Sequence, residues 1–139
     1  MSRIKFMPQG DFSVATENQI LVASITGPWN EELAYLFGRK ANECADLLSG
    51  TRWALLATIF NDGMHTPDTF DATVQMVRQH RQKGRAATAL VLKDISGPEI
   101  VRRVFSRIYE KAGETYAFFD DEASARCWLE DRLGETVAQ

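Results

Sequence analysis

The sequence predicts a single α/β domain: a five-stranded, mostly parallel sheet with one antiparallel strand and helices on both faces. Two nearly unbroken apolar runs of strand length, WALLATIF at Trp53–Phe60 and AATALVL at Ala86–Leu92, have the pattern of strands covered on both sides. Each is followed by a polar loop and then by a proline where a helix can start, Pro67 and Pro98. Beyond each proline, apolar residues recur at helical spacing. Strands alternating with helices of this length build right-handed crossover units and hence a parallel sheet.

Taken in order, Phe12–Thr16 (FSVAT) and Ile20–Ile25 (ILVASI) are short β-prone runs separated by Glu17-Asn18-Gln19, the signature of an antiparallel hairpin. From Asn30 the period changes, and Leu33, Phe37, Ala41, Cys44 and Leu48 form a helical stripe. Asn30 is the expected N-cap, Glu31 and Glu32 complement the positive helix end, and Gly50 stops the helix. WALLATIF follows as the first interior strand. A second helix is expected over Pro67–Lys83, with Thr66 as N-cap, Gly84 as stop, and Phe70, Val74 and Val77 facing inward.

After AATALVL, the loop KDISG leads to a third helix opening at Pro98, with Ile100, Val101, Val104, Phe105 and Ile108 on one face and Gly113 at its end. Thr115–Phe119 (TYAFF) reads as a short aromatic strand. Asp120 is the expected cap of a last helix whose inner face is Ala125, Trp128, Leu129 and Leu133. The order is β-β-α-β-α-β-α-β-α, without an internal repeat, linker or low-complexity tract to divide the 139 residues into more than one domain.

Composition narrows the function classes. A net charge of -3 leaves no electrostatic footprint for nucleic acid. Cys44 and Cys127 lack the spacing of a zinc site or a disulfide framework, which fits a reducing cytoplasm. No segment approaches the ~18 continuous apolar residues of a membrane span, and no signal region is evident. Neither phosphate-loop motif is present, so no cofactor is expected.

In sheets of this kind ligands sit beyond the carboxyl ends of the strands. That rule selects Gly27–Asn30, Asn61–Thr66, Lys93–Gly97 and the pair Asp120-Asp121, and within them the candidate ligand-binding residues Trp29, Asn61, Asp62, His65, Thr66 and Lys93. His65 with Asp62 and Asn61 has the makings of a general base with an orienting carboxylate, the basis of a small hydrolase or isomerase. No nucleophile adjoins them in sequence, and Asn, Asp and Gly63 are equally the residues of a turn. His65, Asp62 and Asp68 lack any recognised metal spacing, so no metal site is assigned.

Lys93 and the loop KDISG suit an anion, or more simply a loop capped by Ser96 or Gly97. The basic run RQHRQKGR, Arg78–Arg85, fits a helix C-terminus, where cations complement the dipole. His80 falls at the border of the core. Cys44 belongs to the core and Cys127 to the outside. Trp29, beside a proline at a strand end, suits either a core plug or a pocket wall.

The hairpin ending in ITGPWN, the strand WALLATIF opening on a tryptophan, the helix start TPDTF and the closing FFDDEASARCWL together resemble the SpoIIAA-like domains of the STAS superfamily. The likeness is to the bacterial branch of small stand-alone proteins, which is also likened to CRAL-TRIO lipid-binding domains, and it spans Phe12 to Leu133. Its best-known members are anti-sigma factor antagonists with a phosphorylatable serine in an Asp-Ser-Ser-Gly motif at the start of the helix after the third strand. This sequence departs from that pattern. The region reads NDGMHTPDTF, without serine, and Thr66 is the hydroxyl at a comparable place and hence the candidate phospho-acceptor. The resemblance implies a non-enzymatic binding or regulatory module that engages a protein partner or a small apolar or anionic ligand at the carboxyl-end loops. The alternatives are the hydrolase or isomerase above and a homodimeric interaction protein pairing through TYAFF or an exposed helix face.

Overall fold

The computed structural model describes residues 11–27, 30–61 and 66–137. Its elements are β1 (Asp11–Glu17), β2 (Ile20–Thr26), α1 (Glu31–Leu48), β3 (Trp53–Phe60), α2 (Pro67–Gln82), β4 (Arg85–Lys93), α3 (Pro98–Ala112), β5 (Tyr116–Phe119) and α4 (Glu122–Val137). They form one sheet in the order β1-β2-β3-β4-β5, in which β1 is antiparallel to β2 and every other pairing is parallel. The α/β class and the strand directions expected from the sequence are therefore observed. Each crossover moves one strand further along, so the chain builds the sheet from one edge to the other.

Side-chain alternation assigns the layers. Trp53, Leu55, Ala57 and Ile59 of β3 join Leu90 of β4 in a core with α1 (Leu33, Phe37, Ala41, Ala45), α2 (Val74, Val77) and α3 (Val101, Phe105, Ile108). The intervening residues Ala54 and Leu56, with Ile20, Ala87, Ala89 and Val91, pack against Ala125 and Leu129 of α4. The division is thus three helices against one. The alanines beneath α4 have no bulk to hold it off, so the helix sits close over β3 and β4.

Helix ends follow the capping residues. Asn30 Oδ1 accepts from the Leu33 N–H at 2.8 Å, and Thr66 Oγ1 accepts from the Thr69 N–H at 3.2 Å. The expected cap of α4 is corrected: Asp121, not Asp120, accepts from the Ser124 N–H at 2.7 Å, placing the start one residue later. These bonds hold the Asp121 carboxyl below the usual carboxylate range, with Lys93 assisting. At the third helix the expected face is corrected at Ile100, which is exposed, while Tyr109 completes the inner stripe. Ile100 lies to one side of the buried row Val101, Phe105, Ile108 and Tyr109. The hairpin turn is Asn18-Gln19, since Glu17 still pairs with Ile20.

Gly84 links α2 to β4 with φ +109, and a Cβ there would collide with the Thr51 carbonyl oxygen. Trp53, fully buried, donates its indole N–H to the Lys83 carbonyl at 2.9 Å and so closes the end of α2.

Candidate functional site

The carboxyl edge of the sheet is organised by Asn61, the residue after β3. Its backbone is left-handed, φ +74. Its N–H donates to the Lys93 carbonyl and its carbonyl accepts from the Ser96 N–H, both at 3.4 Å. Its side-chain amide donates to the Gly27 carbonyl at 3.3 Å, and the Gly27 N–H in turn donates to the Phe60 carbonyl at 3.1 Å. One residue therefore ties together the chain leaving β2, β3 and β4. Asp94 (φ +52) and Gly97 (φ +64), in the next loop, are left-handed as well. Each non-glycine residue so held costs on the order of 1 kcal/mol, least for Asn and Asp, and such conformations persist where surrounding bonds over-determine them.

The helix starts open onto the same edge. Thr66 is exposed, and its hydroxyl sits in the cap of α2, 3.1 Å from the Thr69 hydroxyl. Gly97 begins α3 without a side chain to cap it. Lys93 is exposed at the end of β4, and beside it an open pocket of about 440 Å³ is lined by Arg102, Phe118, Phe119, Asp120, Asp121 and Ser124. Of the six candidate residues, Asn61, Thr66 and Lys93 lie on this edge; Trp29, Asp62 and His65 lie outside the described residues. The described groups here are an amide, hydroxyls, an ammonium, a guanidinium and carboxylates, a set suited to holding a polar group.

The opposite, amino-terminal edge holds a polar cluster that the linear pattern did not reveal. Arg85, Thr88, Glu114 and His80 are all buried. The Glu114 carboxylate accepts from Arg85 Nε at 2.8 Å, from the Thr88 hydroxyl and from Arg81. Arg85 and Thr88 share a face because Trp53 pairs with Arg85 but Ala54 pairs with Ala87, leaving Ala86 as an extra, bulged residue in β4. Without that bulge, residues three apart on a strand would point to opposite faces.

His80 completes the cluster. Its Nδ1 lies 3.3 Å from an Arg85 nitrogen and its Nε2 lies 2.7 Å from Asn42 Oδ1. Arginine can only donate, so Nδ1 accepts, Nε2 carries the proton, and the ring is neutral. Burial and the Arg85 charge push its pKa down to about 3. Burial likewise raises the Tyr109 phenol above its ordinary range.

The cluster corrects the reading of the basic run 78–85. Arg78, whose guanidinium donates to the Lys111 carbonyl at 3.0 Å, and Lys83, paired with Asp46 at 2.6 Å, are surface cations. Arg81 and Arg85 instead clamp a carboxylate that lies between α3 and β5. The available signal was position: Arg85 abuts a nearly unbroken apolar strand run, and Glu114 lies two residues ahead of the aromatic strand. Its groups are paired with one another and, Arg81 apart, buried, so the cluster ties β4 and β5 to the ends of α2 and α3.

Cys44 is buried and Cys127 exposed, as expected. Among the described residues no group of three or more His, Cys, Asp or Glu side chains is placed to hold a metal ion, and no helix is long and apolar enough to cross a membrane. Comparison with protein-family models, with curated proteins and with solved structures finds no match to this chain.

Proposed function

We propose that the chain is a non-enzymatic binding or regulatory module of the STAS type, engaging a protein partner or a small apolar or anionic ligand at the carboxyl-end loops. The supporting observation is Asn61, a left-handed residue bonded to the ends of β2 and β4 and to the loop before α3. Fixing three loops in advance lowers the ordering cost that a ligand would otherwise meet on binding. Lys93 and the Thr66 hydroxyl then supply charge and hydrogen bonding at the rim.

Native and denaturing mass spectrometry, applied to the natural chain and to Asn61→Gly and Lys93→Ala, tests this reading. Asn61→Gly retains the backbone conformation and removes only the tethering amide. A non-covalent mass increment that both substitutions diminish supports it. A phosphate increment that survives denaturation and maps to Thr66 supports the regulatory form. Turnover of a substrate abolished by His65→Ala would overturn it in favour of the hydrolase or isomerase.

A further inference from the structure

We propose that the outer edge of β1, together with the adjoining face of α1, is a twofold interface with a second copy of this chain. β1 is one of the two sheet edges, and it runs seven residues in unbroken register with β2. Its sequence, DFSVATE, contains no proline or lysine, two of the usual protections of an exposed edge, and its charged residues lie only at its two ends. The other edge, β5, is only four residues long.

The flanking helix extends the surface. α1 packs over β1, with Phe12 edge-on to Phe37 at 5.8 Å between ring centroids. Its outward stripe is Leu36, Lys40, Glu43 and Leu47, four positions within one helical face. Leu36, Lys40 and Glu43, with Arg39 beside them, line an open groove of about 470 Å³ with Phe12, Ser13 and Val14, and Leu47 is 78% exposed.

Charge and register point to a second copy as the occupant. An antiparallel β1–β1 pairing about a twofold axis at Ser13 sets Phe12 opposite Val14 of the partner subunit, a favourable aromatic and β-branched pair repeated by symmetry. The same axis lays the two α1 helices antiparallel, side by side over the joined edges. Lys40 of each protomer then meets the partner's Glu43. Within one chain these two residues make only a long, solvent-exposed contact of 3.8 Å, so both are free to pair across the axis.

Sedimentation velocity over micromolar to submillimolar concentration tests the proposal with four chains: natural, Lys40→Glu, Glu43→Lys and the double swap. The natural chain is expected to show a concentration-dependent dimer. Each single swap creates two like-charge contacts and should weaken it about tenfold or more, and the double swap should restore it. Both positions are exposed, so circular dichroism should stay unchanged, and Val14→Lys should abolish the dimer. A natural chain that remains monomeric throughout, or a dimer indifferent to all these changes, overturns the proposal.

Discussion

His80 should make stability fall with acid in a way that can be isolated from every carboxylate. In the unfolded chain an imidazole titrates near 6.5, whereas in the fold burial and Arg85 lower it to about 3. Between those values the unfolded state binds a proton that the folded state refuses, so stability is full above pH 6.5 and is lost as pH falls towards 3. The slope is about 1.4 kcal/mol per pH unit, or on the order of 5 kcal/mol over the whole window. Urea unfolding at pH 7.5 and 5.0, of the natural chain and of His80→Gln, separates this contribution, because glutamine can still donate to Asn42 but does not titrate in this range. The natural chain should lose about 2 kcal/mol more than the variant between the two pH values. The imidazole signals of the folded protein should also keep the Nε2–H tautomer through pH 5. Equal losses in the two chains, or a folded-state titration near 6, would refute the neutral, Arg85-facing ring.

Glu114→Ala leaves Arg85 buried without its carboxylate and should cost about 3–5 kcal/mol by denaturant unfolding, whereas Lys83→Ala, which removes a surface pair with Asp46, should cost no more than about 1 kcal/mol. Gly84→Ala combines a collision at the Thr51 carbonyl with φ +109 and should lower stability by about 2 kcal/mol or more, read as a drop in Tm. A thiol reagent at neutral pH should label Cys127 quickly in the native protein. Cys44, whose thiol burial pushes up, should react only in denaturant; equal native rates would contradict the packing of α1.

The elements were legible because they depend on local signals. Apolar runs, Asn30, Thr66, Pro67, Pro98 and the glycines closing α2 and α3 each act within a turn or two of chain, so strands, helices and their directions follow from reading along it. The carboxyl-edge rule likewise located Asn61, Thr66 and Lys93. It did not reveal what Asn61 does there, since its partners, Gly27, Lys93 and Ser96, come from loops up to 35 positions away. Asp121 rather than Asp120 caps α4, a choice that two adjacent aspartates, carrying the same local signal, leave undecided in the sequence.

By itself, then, the sequence determined the class of fold, the strand order along the chain and the edge on which a ligand would be sought. All of these arise from the periods of helix and strand and from residues that start or stop them. Tertiary structure decided the rest. A single bulge at Ala86 turned Arg85 and Thr88 to one face, and Glu114, 29 positions from Arg85, met them there. A charge in a linear pattern looks the same whether solvent or a carboxylate answers it. Which one does is settled only when the sheet has closed around it, because burying an ion is tolerable only with its partner in place.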